Sequence, residues 1–479
     1  MDGPIPPPAA AGRPIRAEDL SAAAGCLHRW YLECHGNSEL RRREEAPGPA
    51  DDLFKRHCVA WLPDLREPAW DGRDPEAGRR GTLELLAQGP AWIFRGVLAD
   101  RGFLSRPDLL KRIERSSALG SFSYVPASVK RRSSPVEPGD VHELQLHAML
   151  LEPLLHHVPE SGWIYRPDGS ADELDLRATW PRFGTLISDL ERIRRGELLT
   201  EGYRCSGCRR CPWSEQCTRV WTQLSHVCLL PGMETADIGA FRDGGYASWK
   251  AVAASTPERL AVQVGLSLPQ ARLLWLHAKS FQNRRPLVLQ PAPFPRDLPI
   301  HFYVPEFRNG RCYLHGDLRV ERGEVRVRQF LASTPAQEGA AWHAYLDHLA
   351  QDARALVFSW TDRLGPPLEA LWRRHGGEAR GWRHLSRGRR SLHRFLREQA
   401  ILPLSDYGLR EVASFFSFKW STRPARAVPF PSPWEREQAF PEIASARALL
   451  DGNRERIDAL KSIYFALQRL QEFGWSETA

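Results

Sequence analysis

Lysine is scarce in this chain: of 66 basic residues only seven are Lys, and the rest are Arg. No apolar run approaches the roughly 20 residues that a helix needs to cross a bilayer. The Pro- and Ala-rich start, Met1 to Ala11, lacks the basic stretch and apolar block of an export signal. These absences point to the cytoplasm and to no membrane partner. The nine cysteines are odd in number and mostly clustered, which argues against a secreted disulfide framework and for a reducing compartment with a metal. Apolar content of 42% and charged content of 26% are those of an ordinary globular protein, and 479 residues allow two or three domains.

The net charge of +8, carried by Arg, suits a polyanionic partner, because guanidinium binds phosphate in a bidentate fork. A GC-rich genome that inflates Arg and Pro gives the same composition without such a partner.

Four cysteines fall within thirteen residues, Cys205, Cys208, Cys211 and Cys217. Thiolates this dense repel one another unless a cation lies between them or they are oxidised. Two readings follow: a local four-thiolate zinc knot that includes Cys205, or three ligands of an iron–sulfur cluster, Cys208-x2-Cys211-x5-Cys217, completed by the distant Cys26. The spacing points to a metal and leaves its identity open. Trp213, between the cysteines, is placed to shield such a centre from water. Cys34, Cys228 and Cys312 read as fillers of apolar space.

Along the chain, residues 1–14 read as a disordered leader. Helices are predicted over 17–33, carrying Cys26, over 51–65, carrying His57, and over 141–155, carrying Gln145. Strands are predicted at 91–98 and 162–165. Residues 223–285 are helical, with N-caps and first-turn prolines at Ser255-Thr256-Pro257-Glu258 and Ser267-Leu268-Pro269-Gln270. That stretch is similar to helix–hairpin–helix repeats, whose hairpin amides bind DNA phosphate; a plain helical spacer has the same pattern. Residues 286–299, with five prolines, read as a linker. From Ile300 strands come first and helices then take over, the pattern of an α/β layer.

An acid at the end of one strand (Asp108) and a lysine closing a later one (Lys130) stand where PD-(D/E)XK nucleases hold their metal. Residues 15–222 resemble the RecB-like branch of that superfamily, which includes the CRISPR-associated adaptation exonucleases. Over nearly its full length the chain resembles a family of RecB-like nucleases that add a short helical segment and a C-terminal RNase H-like (DEDD) exonuclease domain. The shared phrases are Glu114 to Tyr124, Leu144-Gln145-Leu146, Tyr313-Leu314-His315-Gly316 and Asp406-Tyr407-Gly408-Leu409-Arg410. The resemblance implies an α/β fold in three parts: a PD-(D/E)XK nuclease-like module over 15–222, a helix–hairpin–helix-like segment over 223–285 and an RNase H-like domain over 300–479. It also implies a 4Fe–4S cluster on Cys26, Cys208, Cys211 and Cys217, and Mg or Mn at Asp108. Lys130 would activate water, His57 would match the histidine of the family's first helix, and Gln145 would position phosphate.

The departures from the family pattern weigh as much. Ser128 stands where the second acid belongs, and Cys58 follows His57 where the family has Glu. A hydroxyl is a poor ligand for a hard cation. Glu143 lies two residues before Gln145, roughly 200° around the helix, and is expected to face away from the site. In the C-terminal region the acid positions carry Tyr303, Pro305, Leu364, Ser391 and Arg456, and the nearby Glu306, Asp362 and Glu455 read as surface charges. The sequence therefore leads to a pseudonuclease that holds DNA ends or single strands, or docks a helicase or nuclease partner in trans. The alternatives are an active Mn- or Mg-dependent exonuclease using Asp108 and Lys130, and a purely structural subunit.

Overall fold

The structure is a computed structural model that describes residues 13–42, 49–70, 72–130, 136–166, 169–289, 294, 298–308, 310–352, 354–421 and 443–473. Most of the leader, part of the 286–299 linker and the stretch 422–442 lie outside the described residues. The chain divides into two units, Met1–Trp221 and Thr222–Ala479. Both are mixed α/β. No described helix is long and apolar enough to cross a membrane.

In the first unit the strands are β1 (Ile15–Arg16), β2 (Leu65–Arg66), β3 (Trp92–Phe94), β4 (Leu98–Asp100), β5 (Phe103–Ser105), β6 (Leu109–Ile113), β7 (Ser123–Val129), β8 (Ser161–Tyr165) and β9 (Ala171–Asp175). The helices are α1 (Ala17–Gly25), α2 (Leu27–His35), α3 (Pro49–Val59), α4 (Pro75–Gln88), α5 (Pro138–Leu155) and α6 (Trp180–Arg194), and α7 (Ser214–Leu224) begins in this unit and ends three residues past its boundary. Six strands make one sheet in the order β2-β3-β6-β7-β8-β9, and β1-β5-β4 make a second. The step from β7 to β8 is parallel, with α5 as its crossover, while β3-β6-β7 are antiparallel.

Strand β7 is buried along its whole length. Tyr124 packs into a core with Leu146 and Leu150 of α5, whereas Ala127 and Val129 face a second core with Phe54 and Trp92. Strand alternation therefore turns Ser128 and Lys130 toward α5. The helix predicted over 17–33 is broken at Cys26, whose extended backbone (φ −165°) joins α1 to α2. The helix predicted over 51–65 ends at Val59.

The second unit opens with α8 (Ile238–Asp243), α9 (Trp249–Ala254), α10 (Pro257–Val264) and α11 (Leu268–Asn283), packed on a core of their own. The predicted caps hold: Thr256 Oγ1 accepts from Arg259 N at 3.3 Å, and Ser267 forms a capping box with Gln270. The linker residues that are described do not hang loose. Leu287–Val288 (β10) pair antiparallel with Ala400–Ile401 (β16), and Phe294 packs on Tyr464.

Between them lies a five-stranded sheet of β11 (Ile300–Arg308), β12 (Arg311–Glu321), β13 (Glu324–Leu331), β14 (Leu356–Ser359) and β15 (Arg389–Ser391), in the order β13-β12-β11-β14-β15. β11, β12 and β13 are antiparallel; β14 and β15 run parallel to β11. One face carries α12 (Glu338–Ala350), α13 (Gly365–His375) and α14 (Ala379–Gly388). The other carries α15 (Leu392–Gln399), α16 (Leu409–Phe415) and α17 (Ile443–Phe473). Gly316 is required there: a Cβ on it would stand 1.8 Å from Asn453 Oδ1, and Asn453 ties α17 to β11 by donating to Val304 O at 3.0 Å.

Candidate functional site: a cysteine clasp, a cationic groove and a buried histidine–aspartate group

Chain order alone leaves Cys26 some 180 residues from the cysteine segment; folding returns that segment to α2. His28 Nδ1 lies 2.9 Å from Thr200 Oγ1, Arg42 N donates to Pro212 O at 3.0 Å, and Trp213 Nε1 donates to Glu33 Oε1 at 3.0 Å. Trp213 is buried, with its ring against Gly36. The result sets the Cys26 thiol in hydrogen-bonding contact with Cys205, whose Sγ is 3.7 Å from Cys208 Sγ. Hydrogen bonds from Cys208 and then Cys26 hold the Cys205 thiol far below its usual range. The same bonds to Cys205, and burial second, push Cys26 and Cys208 up. Cys205 is thus hydrogen-bonded to two other thiols, but among the described residues no three cysteine sulfurs lie close enough together to form a ready-made site for one ion. Cys211 follows the 3-10 turn Ser206–Arg210, and Cys217 lies in the first turn of α7. Cys205, expected to count only in a zinc knot, is the residue in contact with Cys26. Cys34, Cys228 and Cys312 are buried, as expected of apolar fillers.

The Leu109–Ala127 pairing of β6 with β7 carries Asp108 beside the end of β7, where Val129 N donates to Asp108 Oδ2 at 2.8 Å. Asp108 and Glu143 both line a groove of about 1010 Å³ in the first unit. Its walls bring eight cations (Arg13, Arg16, Arg29, Arg41, Lys55, Arg56, Arg95 and Arg106) against six acids, many of them already paired with one another. The excess is positive but modest.

Each of the two inner acids holds a lysine. Lys55 Nζ is 2.8 Å from Asp108 Oδ1, and Lys130 Nζ is 3.0 Å from Glu143 Oε2 and 2.8 Å from Asp140 Oδ1. Burial opposes the charge on Lys130, yet Glu143 and Asp140 together raise its pKa. His147, fully buried, has Glu143 Oε1 3.9 Å from its Nε2 and Ser105 on its Nδ1. Burial above all lowers its pKa.

Three expectations need correcting here. Gln145 was expected to position phosphate, but it is fully buried: its amide donates to Leu176 O at 2.7 Å and Thr179 Oγ1 at 3.0 Å, and its oxygen faces His142. Glu143, expected to face away, is the residue of α5 that reaches the groove. The two do lie on opposite sides of α5, but the sides were assigned in reverse. His57 is exposed and does not line the groove; Lys55, two residues earlier, does. Ser128 is buried, and its Oγ has no partner among the described residues.

In the second unit the positions expected to carry the DEDD acids do not converge. Tyr303 stacks on Tyr345 at 4.5 Å, and its hydroxyl meets His315 Nδ1 at 2.9 Å on the α12 face. Leu364 packs into that core, and Ser391 caps α15 by accepting from Arg394 N. Pro305 sits within β11. Arg456 binds Glu306 from α17, on the other face. Glu306 and Glu455, expected as surface charges, are engaged: Glu306 also accepts from Asn453, and Glu455 accepts from Ser421 Oγ at 2.8 Å.

The α12 face holds a group that no motif announced. His301, Asp317 and His348 are buried, with ligating atoms all within 4.8 Å of one another, a geometry able to hold a metal ion. His301 and Asp317 lie on adjacent antiparallel strands and His348 on the helix above, so only the folded sheet assembles them.

No family model matches the chain, and comparison with curated proteins finds no match.

Proposed function

We propose that the chain binds nucleic acid as a RecB-like member of the PD-(D/E)XK nucleases, gripping DNA ends or single strands in the Asp108–Glu143 groove. The observation that carries this reading is that both inner carboxylates of the cation-lined groove are tied to lysines, Asp108 to Lys55 and Glu143 to Lys130. A lysine on each carboxylate gives the compensation that a divalent cation gives in a working nuclease, and the groove as a whole keeps a small positive excess that suits phosphate. The cysteine segment would hold the cluster that joins the two ends of this module, on Cys26, Cys208, Cys211 and Cys217 with Cys205 hydrogen-bonded beside them. When bound, that cluster supplies structural cross-linking. The five-stranded sheet of the second unit is compatible with an RNase H-like layer stripped of its acids, and α8–α11 with a further phosphate-binding segment. A helicase or nuclease acting in trans would supply the chemistry.

The second reading is metal-dependent cleavage with Mg or Mn. It rests on Glu143, which lines the same groove as Asp108 and would stand in for the acid lost at Ser128. End-labelled single-stranded DNA separates the two. Binding whose logarithm falls linearly with the logarithm of salt concentration, with the DNA intact in Mn²⁺, is the expected result. Salt-independent binding would end the groove reading. Degradation lost in both Asp108→Ala and Glu143→Gln would replace the pseudonuclease with the enzyme.

A further inference from the structure

We propose that His301, Asp317 and His348 are the protein ligands of one zinc-class divalent cation that pins β11 and β12 to α12 inside the second unit. Asp317 Oδ2 lies 2.8 Å from His301 Nδ1 and 3.1 Å from His348 Nε2. A tetrahedral ion with bonds of about 2.0–2.1 Å separates its ligand atoms by about 3.3 Å. Entry of the ion therefore asks each side chain to withdraw by a few tenths of an ångström, within a rotamer's reach. Two imidazoles and a carboxylate are borderline donors, suited to zinc and its neighbours in the first transition row rather than to Mg or Ca.

The surroundings are those of a metal-bound histidine. The far nitrogen of His301, Nε2, faces Asp352 Oδ2 at 3.0 Å, and Asp352 is gripped by Arg319, with Nη2 2.9 Å from Oδ1. A carboxylate on the outer N–H of a ligating imidazole fixes its tautomer and raises its basicity. The interior also has donor capacity to spare. Asp317 Oδ1 is buried without a partner among the described residues, and so is the hydroxyl of Tyr345, one turn before His348 on α12. A buried carboxylate oxygen left unpaired is costly, and a cation or its bound water satisfies it. Arg328 Nη1, 3.5 Å from His348 Nδ1, is exposed, so its guanidinium can turn outward when that nitrogen carries the proton.

Without an ion the same atoms form a hydrogen-bonded charge network in which His301 faces a carboxylate at each nitrogen. The proposal and that network differ in metal content, so the test is elemental. Full-length protein purified without a His tag, loaded with zinc and desalted, is expected to hold one zinc-class ion that persists in Cys26→Ala and disappears in His348→Ala. Cobalt(II) titrated into metal-stripped protein is expected to fill, beside any thiolate-bound cobalt at the cysteines, a site whose visible ligand-field bands carry no sulfur-to-cobalt charge transfer, and these bands should be absent in His301→Gln. This second readout needs only wild-type protein if a histidine variant fails to fold. Wild-type protein with no ion beyond those lost with the cysteines, or cobalt spectra showing thiolate ligation alone, would overturn the site and leave a metal-free charge network.

Discussion

Glu143 holds Lys130 across the crossover from β7 to α5, with Oε2 3.0 Å from Nζ. The lysine expected to activate water and the glutamate expected to face away are thus partners. Their pairing gives the groove a carboxylate beyond Asp108.

If the groove meets phosphate as proposed, Glu143→Gln is expected to tighten DNA binding a few-fold, because it removes one negative charge from it at a partly screened distance. A fluorescence-anisotropy titration at two salt concentrations measures it. Weaker binding in the variant would mean that Glu143 acts on DNA through a cation rather than repelling it.

The cysteines make a second test. Iron content and the visible absorbance of purified protein should fall to background in Cys26→Ala and Cys208→Ala, while Cys205→Ala keeps its iron. Loss of iron in Cys205→Ala together with its retention in Cys217→Ala would move the fourth ligand to Cys205, the sulfur that touches Cys26.

Trp213→Ala should destabilise the first unit by about 3–5 kcal/mol, the usual loss for emptying a buried aromatic site. Trp213 is 2% exposed and anchors the cysteine segment to Glu33 and Gly36. Denaturant unfolding followed by tryptophan fluorescence reads the change. A loss below about 1 kcal/mol, the level of a surface site, would show that Trp213 is not what holds the segment down.

His315 sets a pH dependence in the second unit. Burial pushes its pKa down to about 3. Its folded pKa is below the unfolded value, so its neutral form stabilises the fold above about pH 6.5, and that contribution is lost as pH falls. Between pH 6 and 4 the slope from this one group approaches about 1.4 kcal/mol per pH unit. His315→Gln, which can still accept from Tyr303, is expected to flatten the acid limb of stability against pH; an unchanged limb would place the titration elsewhere.

The dense cysteines, the helix caps at Thr256 and Ser267, and the turn from strands to helices after Ile300 were legible in sequence, because each is fixed by neighbours along the chain. The faces of α5 were not. Its residues from His142 to Leu151 are buried nearly all round, so its apolar pattern has no stripe to tell inside from outside, and Glu143 and Gln145 were exchanged. His57 misled for a related reason: α3 turns Lys55 into the groove and His57 to solvent.

What the sequence by itself determined is the inventory: a cysteine-dense segment, an arginine excess, and few lysines. Tertiary structure decided which of those residues meet. Cys26 reaches Cys205 because α2 and the segment after α6 pack together. His301, Asp317 and His348 converge because an antiparallel register sets the two strands side by side and α12 lies across them. Such meetings depend on strand register and on the face a helix buries, and both are settled by long-range packing that no local pattern encodes.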